Sequence, residues 1–455
     1  MTTLSAAGKI ASSALAAAQV QIAVTSSNIA NADTDGYTRK TVSTSTTSTG
    51  GVTVSAASSA VDRFLLADLS AATSAAGGAS VTADYMDRLQ SALGNTSSSS
   101  DTGTSLSNQI SNLESALSSL TDTPESSTLS AAVVSSLDEL ASQIRSLSSS
   151  VQELRTSADQ QIATSVSAAN DAITTINELN KAIATAKSQG ASTSDLEDKR
   201  NQALIELSQY LEVTSFTSSD GTLKVYTKQG QVLVDGSAHL LEFTASSSVG
   251  ASVSYDGSGS GLSGISVDGK DITSQLSEGA LGALITLRDE TLTDAQDMLD
   301  ELAGALISSL NSAYPDLLSG TDGSTISVNA SLLADPGSLA DKSGSSETAE
   351  ALLDALTGGG SFGATSRIGA GDYDFTSYAN RILSVVVSDA TTAQTRLSAA
   401  TATLTQISDT MSSLYGVNID EETARASELE QLYSAAAQIL TVLKQMYEDL
   451  LAAVK

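Results

Sequence analysis

The stretch from Glu421 to Lys455 carries the pattern that most limits what this chain can fold into. Leu429, Tyr433, Ala436, Leu440, Leu443, Tyr447, Leu450 and Val454 follow one another in alternating steps of four and three. That is a seven-residue apolar repeat, the seam of a helix that packs lengthwise on another helix. Leu432, Ile439 and Met446 widen the stripe, and Glu428, Glu430, Lys444, Glu448 and Asp449 fall outside it. At ~1.5 Å per residue the helix is about 50 Å long. Each large apolar side chain gains roughly 1.5–3 kcal/mol on burial. A solitary helix cannot collect that gain, so the pattern demands a partner.

The opposite end of the chain offers one. Leu4, Gly8, Ala11, Leu15, Ala18, Ile22, Thr25 and Ile29 repeat the four-three steps with smaller side chains. If the two helices pair, the chain ends lie together and the middle projects as domains. Surplus apolar surface at Leu432, Ile439 and Met446 is then left to bury against further copies, which would drive polymerisation. A rival reading takes Lys9, Ile10 to Val24 and Ala30-Asn31-Ala32 as a secretory leader with its cleavage site. Ser12, Ser13, Gln19 and Gln21 dilute the apolar part and speak against it.

Composition removes several function classes. No Cys occurs, so disulfide frameworks, zinc-thiolate sites and Cys nucleophiles are excluded. The 22 basic and 52 acidic residues give a net charge of -30, a surface that repels nucleic-acid phosphates and anionic lipid. Neither nucleic acid nor membrane is an expected partner. No uninterrupted apolar run reaches the ~18 residues that span a bilayer. Aromatics are 4% with no Trp, so the core must be Ala, Leu, Ile and Val, which suits long thin helical packing.

Between the ends the chain alternates helix and strand signals. Residues 41–60 alternate around Gly50-Gly51 and predict a hairpin. A helix opens at Val61 and runs to about Leu93, and Asn95 to Thr104 is a Ser/Gly linker. Leu106, Ile110, Leu113, Leu117 and Leu120 form one helical stripe, broken near Pro124; Val133 to Ile183 carries the next. Asp195 to Arg200 starts another helix reaching Tyr210, its carboxylates expected in solvated ion pairs with Lys199 and Arg200. Five short β segments follow: 222–227, 231–234, 239–243, 252–255 and 265–267. Helix returns from Leu276 to Tyr314. A Gly/Ser/Asp-rich insertion follows, with a strand at 326–328 and a helix near 349–356. One more helix spans Ser377 to Tyr415, and Asp420 is read as the cap of the last one.

The expected fold is therefore mainly α with inserted β: a long helical bundle made from both chain ends, a small antiparallel β domain and a second short insertion. The boundaries are 1–40 with 415–455 for paired terminal helices; 41–212, 276–315 and 373–414 for the long-helix bundle; 213–275 for the β domain; and 316–372 for a loosely specified insertion.

Catalytic and cofactor chemistry finds no foothold. Gly259 to Gly264 satisfies the dinucleotide spacing, but a strand and turn follow it rather than a helix N-terminus. His239 is the sole histidine, which excludes a multi-His metal site. The Asp-Gly pairs at Asp220, Asp235, Asp256, Asp268 and Asp322 fit turns better than calcium loops. The glycosylation triplets at Asn95 and Asn329 are of the kind that arises by chance. No cofactor and no catalytic residue is expected. A secreted enzyme using an unmarked carboxylate pair is the reading from a different class; trimming both ends would leave its turnover intact.

One string is more specific. After the first helix come Asn28, Ile29, Ala30, Asn31, Ala32, Gly36, Tyr37 and Arg39. This resembles the N-terminal motif of the flagellar axial proteins, the rod, hook and hook-associated proteins. Those proteins usually carry Pro before the Gly; Asp35 stands there in this chain. Asp195 to Leu204, Gln231 to Val234, Glu278 to Glu290 and Gly416 to Glu422 extend the likeness, in order, to the hook-associated protein 1 family of bacterial flagella. The resemblance implies a structural ring at the hook–filament junction, partnered by copies of itself, by hook protein and by the second junction protein. It implies unfolded export through the flagellar type III channel, an extracellular location without a cleaved leader, and a cytoplasmic chaperone on the C-terminal helix. Other axial proteins (second junction protein, hook, rod, flagellin) are the nearest alternatives.

Overall fold

A computed structural model of the chain describes residues 2–48, 50–59, 61–94, 105–251, 253–257, 261–340 and 345–453. In chain order the elements are α1 (Thr2–Ala30), β1 (Thr44–Thr46), β2 (Val52–Val54), α2 (Arg63–Leu93), α3 (Leu106–Asp122), α4 (Ser127–Ser188) and α5 (Ser194–Tyr210). Next are β3 (Val213–Thr217), β4 (Leu223–Thr227), β5 (Val232–Val234), β6 (Leu241–Glu242), β7 (Ser266–Val267), β8 (Lys270–Asp271) and α6 (Gly279–Thr286). A single π-turn, Leu287–Thr291, leads into α7 (Leu292–Ala313). Then come β9 (Leu318–Ser319), β10 (Ser327–Val328), α8 (Ala330–Ala334), α9 (Glu347–Thr357), β11 (Gly360–Phe362), β12 (Gly371–Tyr373), α10 (Phe375–Tyr415) and α11 (Ile419–Ala453). The architecture is mainly helical with small antiparallel sheets, as the periodicities predict. The expected linker 95–104 lies outside the described residues.

The chain divides into two compact units. The first holds residues 1–74, 168–240 and 401–455. Here α1 and α11 pack along each other. Near the end of α1 Asn28 meets Glu422 near the start of α11, so the pair is antiparallel. The β1–β2 hairpin lies against α1, where the Val52 N–H donates to Ser13 Oγ at 3.0 Å. The antiparallel sheet β3-β4-β5 buries Leu223, Val225, Leu233 and Val234. Asn180 of α4 pins the start of its central strand, accepting the Leu223 N–H at 3.0 Å and donating to the Leu223 carbonyl at 2.8 Å.

The second unit holds residues 75–167 and 241–400. Leu106, Ile110, Leu113, Leu117 and Leu120 of α3 are all buried, as their spacing requires, and α3 packs on α9. Val133, Leu137, Ile144, Val151 and Ile162 of α4, with Leu299, Leu302 and Leu306 of α7, extend the same core. By length and composition α2 is apolar enough to cross a membrane. Ala supplies much of its apolar character, and Tyr85, Met86 and Leu89 of this helix are buried against protein.

Several expectations change on contact with the structure. Residues 213–275 form two separate three-stranded sheets, β3-β4-β5 and β6-β7-β8, and 253–255 is not a strand. The insertion 316–372 is well packed: Leu317, Ile326, Leu332, Leu352, Leu356, Phe362 and Ile368 are buried. Apart from α9, which buries Ala349, Leu352 and Leu356, its short elements each supply only one or two apolar anchors, too few to produce a visible period. Asn418 rather than Asp420 caps α11, its Oδ1 accepting the N–H groups of Asp420 at 3.0 Å and Glu421 at 3.3 Å. Asn329 is occupied in the same way, capping α8 through Ser331 N at 3.0 Å.

Candidate assembly site

The stripe residues of the two terminal helices fall into three groups. Ala11 and Ala18 of α1 and Leu429 and Ala436 of α11 are buried in the seam. Leu4, Leu15, Ile22, Ile29, Tyr433, Leu440, Leu443 and Tyr447 are half-buried at its margins. Leu432 and Ile439 (both 52%), Met446 (46%) and Leu450 (45%) are exposed, and Val454 lies outside the described residues. Alanines let the helix axes approach closely but bury little area per residue. The 35-residue α11 is also longer than the 29-residue α1. The outer row of α11 is thus apolar, aligned and without a cover in the single chain.

The end of the seam is fastened differently. Asn28 is 1% exposed, and its amide meets four groups. Its Nδ2 donates to the Lys40 carbonyl at 2.9 Å and to Glu422 Oε2 at 3.0 Å. Its Oδ1 accepts from the Tyr37 hydroxyl and from the Lys40 N–H, both at 2.9 Å. An amide offers two donors and a two-lone-pair acceptor, so this side chain is fully satisfied. No other residue type supplies that set in this volume, and Asp would face the Glu422 carboxylate with a second negative charge.

Arg39 completes the link to α11. Its Nε donates to Glu422 Oε1 at 2.6 Å, its NH1 lies 3.7 Å from Glu421, and its backbone N–H donates to the Tyr415 carbonyl at 2.7 Å. Glu422 is itself buried, so removing Arg39 would leave its carboxylate without a compensating cation. Burial, reinforced by the carboxylates of Asp195, Asp198 and Glu422, pushes the Tyr37 hydroxyl above its ordinary pKa and keeps it a donor.

A second anchor ties the turn to α5. Asp198 accepts from the Thr38 N–H at 3.0 Å and the Thr38 hydroxyl at 2.7 Å, and it pairs with the Lys40 ammonium. Lys40 is buried, donates to the Ser194 carbonyl at 3.1 Å and sits 4.9 Å from the Tyr37 ring centroid. This corrects the expectation of solvated pairs within 195–200. Asp198 is buried and takes its cation from the turn, while Arg200 is buried against Asn180 Oδ1 at 3.0 Å and the Gly221 carbonyl at 2.9 Å. Burial lowers the Arg200 pKa. A helical stretch rich in both charges looks solvated in sequence; only the fold brings Lys40 to it.

Gly36 makes the turn possible, with φ at 69°. A Cβ there would also collide with the Gln202 side chain, whose amide donates to the Asp35 carbonyl. Asn31 closes α1 by donating to the Ser27 carbonyl at 2.8 Å. Ile29 and Ala32 are half-buried and Ala30 is exposed. The motif therefore comes together as one corner, with Thr38, Lys40, Asp198 and Glu422 as members whose place in it the sequence did not reveal. Beside it lies a cleft of about 270 Å³, lined by Ser27, Asn31, Asp35, Tyr37, Asp195 and Lys199 among others. Among the described residues no group of three or more His, Cys, Asp or Glu is placed to hold a metal ion.

Two family models and a solved structure are similar to parts of this chain. A family model of the flagella basal body rod proteins matches residues 9–38, the first helix and its turn. Among solved structures the chain is similar to the flagellar hook junction protein FlgK from Burkholderia pseudomallei, at 25% identity and a TM-score of 0.46. That match covers 55% of this chain and 44% of the other, so the chain spans less than half the length of that relative. No curated protein matches. The helical-domain model of the flagellar hook-associated protein FlgK matches residues 86–325, more than half of the 455. The chain belongs to the flagellar hook-associated protein FlgK family.

Proposed function

We propose that this chain is a structural subunit of the hook–filament junction, polymerising through residues 1–40 and 415–455. The observation that carries the reading is the exposed row Leu432, Ile439, Met446 and Leu450 on a helix whose adjoining face is already taken by α1. A row of this kind is stable in water only when another surface covers it, and a second copy presents the same helices in register. Its partners are copies of itself, hook protein on one side and the second junction protein on the other. It performs no catalysis in this role. The chain passes unfolded through the type III channel, and a cytoplasmic chaperone shields α11 beforehand, because the bare row would otherwise aggregate.

Removing the gene tests the reading. The expected cell bears hooks without filaments and releases flagellin into the medium, and a chain lacking 421–455 does not restore filaments. The match of residues 9–38 to rod proteins favours a second reading, a rod subunit. Loss of the hooks along with the filaments would select it.

A further inference from the structure

The charge of this chain is divided unevenly. The unit that holds both chain ends carries 13 basic and 21 acidic residues, whereas the second unit carries 9 and 31. A net charge of -22 thus rests on the second unit and -8 on the first. Within the second unit the excess is concentrated. No basic residue occurs between Arg88 and Arg145, and between Arg288 and Arg367 there is only Lys342, which lies outside the described residues. Those two stretches supply α3 and α9, which pack on each other.

The seam of these two helices is apolar, with Leu113, Leu117 and Leu120 of α3 and Ala349, Leu352 and Leu356 of α9 buried. Their outer surface is acidic. Glu114, Asp122 and Asp354, with Glu125 in the turn after α3, are exposed, and among the described residues none of the four carboxylates has an ion pair. Asp122 is the last residue of α3 and Asp354 lies in the last turn of α9, where neither helix has a basic residue. The carbonyl end of a helix already carries partial negative charge, so a carboxylate there is repelled. Arg145, the next cation in the sequence, donates to the Ile326 carbonyl and to Ser142 Oγ instead of to a carboxylate. On α7, which also packs on α9, burial raises the Asp300 pKa, and the charges of Asp322 and Asp297 raise it further against hydrogen bonds from the Gly323 N–H and Gln296.

Like charges work against a compact state, and salt screens them. The screening length falls from ~30 Å at 10 mM salt to ~3 Å at 1 M. An apolar seam closed against such repulsion is held more tightly as salt rises. We infer that α3 and α9 form a salt-dependent clasp, docked while the solution screens their carboxylates and undocking together, as a local unit, when it does not. The core shared by α4 and α7 stays packed in both conditions, because it is closed by apolar side chains on helices whose own cations are already paired or bonded.

Native-state hydrogen exchange of the full chain in 10 mM and in 1 M NaCl tests this. The amides of Leu113, Leu117 and Leu352 are expected to exchange more than tenfold faster at the lower salt, with those of Ile144, Val151 and Leu302 changing less than threefold. A chain carrying Glu114→Gln, Asp122→Asn, Glu125→Gln and Asp354→Asn is expected to protect α3 and α9 in 10 mM NaCl as well as the unaltered chain does in 1 M. Exchange in α3 and α9 that is the same at both salts overturns the inference. So does a salt response shared equally by α4 and α7, or one that persists undiminished in the substituted chain, since either is a general effect of salt on burial.

Discussion

Asn28 and Glu422 stand 394 positions apart and meet through a 3.0 Å hydrogen bond in which the amide donates. That contact joins the last turn of the first helix to the first turn of the last helix. It gives the family motif a physical meaning: the asparagine is the node at which the chain's two ends and the turn between 31 and 40 are fixed together.

Replacing that node should be costly for its size. Asn28→Ala leaves the Lys40 N–H and carbonyl and one Glu422 oxygen without their partner, a loss of about 2–3 kcal/mol in urea unfolding. Glu422→Gln keeps an acceptor and should cost less than Glu422→Ala. A double-mutant cycle between Asn28→Ala and Glu422→Ala should return a coupling of about 1 kcal/mol or more. Additive effects would show that the two residues do not act together.

The outer row and the seam of α11 should respond in opposite ways. Leu432→Glu with Ile439→Glu is expected to leave the thermal midpoint of the isolated chain unchanged within about 0.5 kcal/mol. In cells the same chain should support roughly tenfold fewer filaments, the factor that about 1.4 kcal/mol of lost interface produces. Ala436→Leu, in the buried seam, should instead destabilise the isolated chain by about 1–3 kcal/mol through overpacking. Filament counts near wild type for the double glutamate chain would remove the outer row from assembly.

Alkaline unfolding should expose Tyr378. Among the described residues its buried hydroxyl has no hydrogen-bond partner, and its ring stacks on Phe362 at 4.0 Å. Burial, with Glu301 and Tyr373 adding, pushes its pKa from 10.0 up to about 12. The folded chain then holds this proton more tightly than the unfolded chain does. Its contribution is fully present below pH ~10 and is lost as pH rises toward ~12. Tyr378→Phe should flatten stability over that window and raise it by about 1 kcal/mol at pH 7, because an unsatisfied buried hydroxyl is removed. An unchanged alkaline slope together with a lower midpoint at pH 7 would contradict this.

Long helices were legible in the sequence because their stripes repeat many times. Leu106 to Leu120 and Val133 to Ile183 each give a period that no single substitution hides, and α3 and α4 follow them closely. The corner was half legible. Gly36 and the asparagines announce a turn, but nothing local to Lys40 or Asp198 reveals that they pair across 158 positions. The π-turn at Leu287–Thr291 left no trace either, since Leu287 and the following Leu292 fit an α-helical stripe and nothing in the sequence shows that Arg288 is buried. Directional polar contacts between distant segments have no period, and that is what periodicity cannot report.

The alanine seam between α1 and α11 and the polar corner at its end divide one task between them. The seam, where Ala11, Ala18 and Ala436 are buried beside Leu429, is apolar and has no directional contact of its own to fix the axial phase. The corner, with its fixed donors and acceptors, accepts a single phase. A tube built of such rods would have its pitch dictated at one rim, while bending strain spreads along the shafts.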